Sequence, residues 1–142
     1  MNTIKVLVLC TGNSCRSQMA HGWLNHAKKL FNLDIEVFSA GVETHGLNPR
    51  AVEVMKEDGI DISHHQSSLI DDYMNTGISH VITVCDHAAE QCPIFSEAVE
   101  KTHHNFSDPS KLADQGNEVL PAYRKTRNEI RDFVFSYIQQ IR

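Results

Sequence analysis

The apolar positions of this chain fall alternately into strand-like runs and helix-like periods. Ile4 to Leu9 is a nearly unbroken apolar run with a Val-Leu-Val-Leu core, the pattern of a strand buried in a parallel sheet. Met19, Trp23, Leu24, Ala27, Leu30 and Phe31 then recur at three- and four-residue spacing, which predicts a helix with one apolar face and Trp23 in the core. Ile35 to Phe38 is a short apolar strand ending in Ser39-Ala40-Gly41. A loop follows, and Pro49 suits the first turn of a helix reaching about Glu57, burying Ala51, Val52 and Met55 and stopped by Gly59. Residues 60–72 are mixed and polar, a loop with a short helical turn. His80 to Val84 is another buried strand, and Asp86 to Gln91 allows about a turn and a half of helix before Pro93. Thr102 to Phe106 reads as a further short strand, and residues 107–110 as a loop. The last helix runs from about Pro121 to Ile141. Its core face is Ile130, Phe133, Val134, Tyr137, Ile138 and Ile141.

Strands alternating with helices predict an α/β fold: one domain over residues 1–142, a three-layer doubly wound sheet of about four parallel strands. Ligands of such folds sit at the carboxyl ends of the strands. Cys10, Cys85 and Asp108 all fall near those ends. A net charge of −5 with no basic run excludes a general nucleic-acid binder, so any anion must be held by local geometry. The amino-terminal apolar run is too short to cross a bilayer and has no cleavage signal, so the expected location is the cytoplasm, away from membranes, and the expected state a monomer. In that reducing compartment the four cysteines read as catalytic, redox-active or metal-binding, not structural.

The candidate chemistry begins at Cys10-Thr11-Gly12-Asn13-Ser14-Cys15-Arg16-Ser17, between the first strand and the first helix. Such a junction gathers backbone N–H groups and the positive end of a helix dipole around an anion. That field should depress the Cys10 pKa and supply thiolate at neutral pH. Arg16 can grip two oxygens of a tetrahedral oxyanion in a bidentate fork. Gly12 lets the backbone approach the ligand, Ser17 is placed to donate to the thiolate, and Asn13 to pin the loop through its amide.

Cys85 and Cys92 are the second notable pair. Were residues 85–92 all helical, their Cα atoms would lie about 10 Å apart, beyond the roughly 4.4–6.8 Å of a disulfide. The two are either unrelated thiols or a pair that bonds only when the segment unwinds. Their spacing is not that of a short zinc-binding pair. Asp108-Pro109 is either a plain turn or a loop that presents a general acid to a leaving oxygen. His64-His65 and His103-His104 read as surface histidines, and no metal site is expected.

With these residues in view, the chain resembles the low-molecular-weight tyrosine phosphatases: Cys10, five residues, then Arg16-Ser17, with Gly12, Asn13 and Cys15, is similar to their phosphate loop, and Asp108-Pro109 to their general-acid loop. The likeness is closest to the thioredoxin-coupled arsenate reductases built on that fold. It runs through Gln18-Met19-Ala20, Ser39-Ala40-Gly41, Thr44-His45-Gly46, Asn48-Pro49, Asp61-Ile62-Ser63, Cys92-Pro93-Ile94 and Arg127-Asn128-Glu129-Ile130. The resemblance implies arsenate held by Thr11, Gly12, Asn13, Ser14, Cys15, Arg16 and Ser17, with Cys10 attacking arsenic and Asp108 protonating the departing oxygen. It implies a disulfide passed from Cys10–Cys85 to Cys85–Cys92 and then to thioredoxin, with no bound cofactor.

The chain departs from some relatives at a potassium site beside the loop. Asn13 and Ser39 remain, but His21 and the neighbourhood of Ser68 lack the carboxylates, so no specific potassium site is expected. His21 would then stand in by steadying Asn13. Two other functions compete. A phosphatase acting on phosphate monoesters would use Cys10, Arg16 and Asp108 and leave Cys85 and Cys92 idle, although Ser110, Lys111 and Leu112 provide no aromatic wall for an aryl substrate. A non-enzymatic thiol sensor would leave Arg16 and Asp108 idle.

Overall fold

The computed structural model describes residues 3–93, 95, 98–114 and 118–142. Ile94, named above in the resemblance, lies outside them. Four parallel strands, β1 (Ile4–Cys10), β2 (Ile35–Gly41), β3 (His80–Thr83) and β4 (Glu100–His103), form a sheet in the order β2-β1-β3-β4. Among the described residues five α-helices flank it: α1 (Arg16–Leu30), α2 (Pro49–Glu57), α3 (Asp86–Gln91), α4 (Pro109–Asp114) and α5 (Val119–Ile141). The doubly wound α/β architecture expected from the alternation is the one observed. No helix among the described residues is long and apolar enough to cross a membrane.

Chain order reverses at β1. The chain leaves it for β2 on one side and returns to β3 on the other, so the crevice between the β1 and β3 ends is the switch point where ligands bind. As a central strand β1 is covered on both faces, and Val6 to Leu9 are wholly buried. Beneath it α1 buries Met19, Trp23, Leu24 and Ala27 and packs against α5. Leu30, expected on that face, is 61% exposed because it sits on the last turn, past the edge of the core.

Four further expectations need correction. In α2 the inward residue is Val54 and not Val52, since Ala51, Val54 and Met55 form one i, i+3, i+4 stripe. Strand β4 begins two residues earlier than expected and ends at His103. It is a charged edge strand, a composition that discourages pairing with other chains, and its apolar signal is weak. Phe106, expected as its last residue, lies beyond it, buried against the rings of His104 and Phe133. Residues 107–110 are not all loop: Pro109 opens α4, and Asp108 Oδ1 accepts hydrogen bonds from Ser110 N at 3.0 Å and Ser110 Oγ at 2.7 Å, capping that turn.

Arg127 of α5 fastens the helix to the end of α2. Its Nη1 donates to Val54 O at 2.9 Å and to Glu57 Oε1 at 2.8 Å, and Nε lies 3.1 Å from Asp58 Oδ2. A guanidinium can fill several carbonyl and carboxylate partners at once, which makes its burial tolerable.

Candidate active site

The loop from Cys10 to Arg16 is shaped by where its carbonyls go. Thr11 O accepts from Glu43 N at 3.0 Å, Gly12 O from His45 N at 2.9 Å and Ser67 Oγ at 2.9 Å, and Ser14 O from Asn48 N at 3.0 Å. With these carbonyls turned outward onto the 43–48 and 67–68 segments, the next residues' N–H groups face the opposite way, into the loop. Two glycines permit the close approach. A Cβ on Gly12 would fall 2.3 Å from His45 Nδ1, and one on Gly41 would fall 2.7 Å from Thr11 O.

Asn13 is fully buried and takes a positive φ of 47°, a left-handed turn that Asn tolerates better than most residues. Its Nδ2 donates to Ser17 Oγ at 2.8 Å, and its Oδ1 accepts from Ser68 N at 2.8 Å and Gln18 Nε2 at 3.1 Å. Gln18 Nε2 also reaches Asn13 O at 3.1 Å and Gln66 O at 3.0 Å, while Gln18 Oε1 meets His65 Nδ1 at 2.9 Å. The loop therefore pins as expected through Asn13. The polar partner of Ser17, however, is Asn13 and not the Cys10 sulfur.

His21 does not steady Asn13 directly. It binds Ser39 Oγ at 2.8 Å and stacks on His65 at 4.4 Å between ring centroids; the support reaches Asn13 through His65 and Gln18. Burial, with His65 and His64 nearby, lowers the His21 pKa to about 3, so it is a neutral ring and not a cation.

A cavity of about 320 Å³ opens over the loop, lined by Cys10, Thr11, Gly12, Ser14, Cys15 and Arg16 and walled by His45, Asn48, Asp108, Ser110 and Lys111. Arg16 is held across it: Nη1 donates to Phe106 O at 2.9 Å, and Nη2 lies 3.8 Å from Asp108 Oδ2. Burial raises the Asp108 pKa, but Ser110 and Arg16 outweigh it and hold the carboxyl below its ordinary value. A larger cleft of about 540 Å³ lies elsewhere, between α1 and residues 59–65; its lining includes His26, Lys29, Asp61 and His64 but no thiol. The smaller cavity is the one with chemistry in it.

All four cysteines are free thiols. Cys85, just past β3, hydrogen-bonds Cys10, and its sulfur lies 3.3 Å from Thr11 Oγ1. The Cys10 contact, the Thr11 hydroxyl, the Ala88 N–H and Arg16 lower the Cys85 pKa to about 5 against the opposing effect of burial. Cys10 moves the other way, raised by the contact with Cys85 and by burial although Arg16 and the Thr11 N–H pull it down. The expected depression of Cys10 alone gives way to a pair that holds one proton between two sulfurs. Burial and Asp108 push Cys15 up to about 12, leaving it a protonated lining residue. Cys92 is set apart, in a cavity of about 210 Å³ between α3 and β4 shared with Ala89, Lys101 and His103.

Sequence reasoning missed Gln18, His45, Asn48, His65 and Ser67 as parts of this site. Asn48 had a readable signal, since it caps α2 ahead of Pro49, but its contact with Tyr123 OH at 2.9 Å did not. Gln18 follows the loop directly and turns back on Asn13, while His45, His65 and Ser67 meet the loop only through the fold.

Residues 5–142 match the family described as Low molecular weight phosphotyrosine protein phosphatase. The chain is 45% identical over 130 residues to an arsenate reductase of Halalkalibacterium halodurans, covering 92% of this chain and 91% of that protein. A low molecular weight protein tyrosine phosphatase from T. tengcongensis superposes with a TM-score of 0.83 at 28% identity, covering 98% of this chain and 100% of that one. An arsenate reductase in the phosphate binding state superposes with a TM-score of 0.76 at 30% identity, covering 99% and 100%. The family match runs over residues 5–142, nearly the whole chain, and the chain belongs to the low molecular weight phosphotyrosine protein phosphatase family.

Proposed function

We propose that this protein reduces arsenate to arsenite through a relay of Cys10, Cys85 and Cys92, with thioredoxin as the final reductant. One observation carries the reading. Cys85 touches both Cys10 and the Thr11 hydroxyl, an arrangement that hydrolysis of a phosphate ester does not require. The naming of the Halalkalibacterium halodurans relative supports the same substrate.

Arsenate enters the loop of Thr11 to Ser17, where the N–H groups and Arg16 share its charge. The incoming anion draws Arg16 away from Asp108 and weakens the hold on this carboxyl, leaving the Ser110 hydrogen bonds in place. Cys10 passes the shared proton to Cys85 and attacks arsenic as thiolate, while Asp108, having taken a proton from solvent, gives it to the departing hydroxyl, which leaves as water. Cys85 then attacks the Cys10 sulfur and its proton passes to an arsenic-bound oxygen. An S–S bond forms, the S–As bond breaks with its electron pair going to arsenic, and arsenite leaves. Cys92 next attacks Cys85: the Cys85–Cys92 bond forms, Cys10 leaves as thiolate, and the Cys92 proton passes to it. The dithiol of thioredoxin reduces the last disulfide. Burial raises the Cys92 pKa, so it acts only after leaving its cavity, and α3 must unwind to let it. On this reading the protein works as a monomer in a reducing cytoplasm, with thioredoxin as its partner and without bound cofactor or potassium.

The test is NADPH consumption with arsenate, thioredoxin and thioredoxin reductase, comparing wild type with Cys92→Ser. Sustained turnover that falls in the variant to about one arsenite per enzyme supports the relay. Equal, negligible consumption by both, with brisk hydrolysis of a phenyl phosphate, assigns the protein instead as a phosphatase using Cys10, Arg16 and Asp108.

A further inference from the structure

The six residues of α3 separate Cys85 from Cys92, and a helix this short has little stability of its own. Two sets of contacts hold its amino-terminal end. The first belongs to the Cys85 sulfur, toward which the Ala88 N–H and the Thr11 hydroxyl are directed. The second belongs to Asp86. Its backbone N–H donates to Asn105 Oδ1 at 3.2 Å, and its Oδ1 accepts from His103 Nε2 at 2.7 Å. A carboxylate only accepts, so Nε2 carries the hydrogen of this bond. On the other side of the ring, His103 Nδ1 lies 2.7 Å from Thr83 Oγ1 and 3.2 Å from Thr83 O. Thr83 is buried in β3, so the ring is seated on the sheet and reaches out to the helix. His103 also lines the cavity that holds Cys92.

The two holds respond differently to the chemistry. Once Cys85 is bonded to Cys10, its sulfur no longer carries the charge that attracts the Ala88 N–H and the Thr11 hydroxyl, and the first hold is released by oxidation. The second involves no thiol and survives that step. Asp86 still joins β4 and the following loop to the first residue of α3, while Cys92 has to cross a gap that intact helix keeps open.

We propose that His103 is a positioning residue for the proposed relay: with Thr83 behind it and Asp86 in front, it latches α3 in the folded state and sets the rate at which Cys92 reaches Cys85. The latch rests on the relay reading and adds to it a brake outside the three thiols. It slows the approach of Cys92 to the Cys10–Cys85 bond once that bond exists, and it restores α3 after thioredoxin has acted. In the step it governs, the Cys92 sulfur bonds Cys85, the Cys10–Cys85 bond breaks, and Cys10 leaves as thiolate and takes the Cys92 proton.

The experiment is a single turnover of the reduced full-length protein with arsenate and no thioredoxin, quenched in acid, alkylated, and mapped for disulfides over time. The first step is timed separately in a Cys92→Ser background. In His103→Ala the Cys85–Cys92 disulfide should form about threefold faster, the size of effect that loss of a partly exposed hydrogen bond allows, with Cys10–Cys85 formation unchanged. The Ala89 amide, which donates to Cys85 O at 3.2 Å, should lose protection from hydrogen exchange by a similar factor in the reduced protein. His103→Gln, which keeps a donor for Asp86, should restore both toward wild type. Unchanged or slower Cys85–Cys92 formation, with Ala89 exchange unaltered in a variant that melts like wild type, overturns the latch and leaves the relay standing. If wild type itself forms no Cys85–Cys92 disulfide and Cys92 stays alkylatable, relay and latch fall together.

Discussion

Thr11 Oγ1 stands 3.3 Å from Cys85 Sγ, so a hydroxyl of the anion loop touches the second thiol directly. It is one of the interactions that draw the Cys85 pKa down to about 5. In Thr11→Val the pKa should rise by about one pH unit or somewhat more, as expected when a thiolate loses a hydrogen bond of roughly 1.5–3 kcal/mol. Alkylation of Cys85 against pH, followed by mass spectrometry, measures it. An unmoved alkylation profile would show that Cys10, the Ala88 N–H and Arg16 keep Cys85 ionised without the hydroxyl.

Stability should depend on pH through His21. Its folded pKa is lowered from 6.5 to about 3, so below 6.5 the unfolded chain binds a proton that the folded protein refuses. Stability therefore falls as pH drops, by about 1.4 kcal/mol per pH unit for one such group. His65 is shifted the same way by burial and by His64. The carboxylates with lowered values, Glu57, Asp61 and Asp108, lose their contribution only below their ordinary values of 4.5 and 3.8. The carboxylates are thus silent between about pH 6.5 and 5, where His21 and His65 act together with Cys85, whose folded pKa of about 5 sheds a proton that the unfolded thiol keeps. Urea denaturation at pH 7, 6 and 5 should show the loss, and His21→Gln should make it shallower, leaving the slope due to Cys85.

Gln18 joins His65 to Asn13 and is itself fully buried. Replacing it with Leu keeps the volume but strands the carbonyls of Asn13 and Gln66. Affinity for inorganic phosphate should weaken by about tenfold as the left-handed turn at Asn13 loosens. Calorimetric titration reads it directly, and wild-type affinity would mean that Ser17 and Ser68 suffice to hold Asn13.

Arg127→Met removes the guanidinium between α5 and the end of α2, taking the donor from Val54 O and leaving Glu57 to Arg124 alone. The cost should be about 1–3 kcal/mol, that of a buried acceptor deprived of its donor. A lowered urea midpoint with unchanged chemistry per folded molecule is the expected result. Loss of activity without loss of stability would give Arg127 a role in the site.

What the sequence made legible was whatever its signal kept local. The run of Ile4 to Leu9, the loop from Cys10 to Arg16 and the period of α5 are each contiguous, and each formed where the pattern put it. Strand β4 was displaced because Glu100 to His103 carries no apolar alternation, and the eye moves to Phe106. The proton shared by Cys10 and Cys85 was hidden for a different reason. Seventy-five positions separate the two thiols, and only the pairing of β1 with β3 brings them together. The same holds for His65 on Gln18 and for Asn48 on Tyr123, contacts between side chains whose own neighbours in sequence say nothing of each other.

The outward turn of the Thr11, Gly12 and Ser14 carbonyls bears on selectivity in a cell. A cradle built from main-chain N–H groups measures the shape and charge of a tetrahedral oxyanion, and phosphate and arsenate share both. On the proposed reading the protein therefore spends much of its time occupied by the more abundant anion and sorts the two by fate and not by fit. A phosphorus(V) centre on Cys10 returns to phosphate, whereas an arsenic(V) centre yields its place to Cys85 and departs reduced. Discrimination is then a property of the clock set by the second sulfur, and the occupancy of the cradle sets only how often that clock is started.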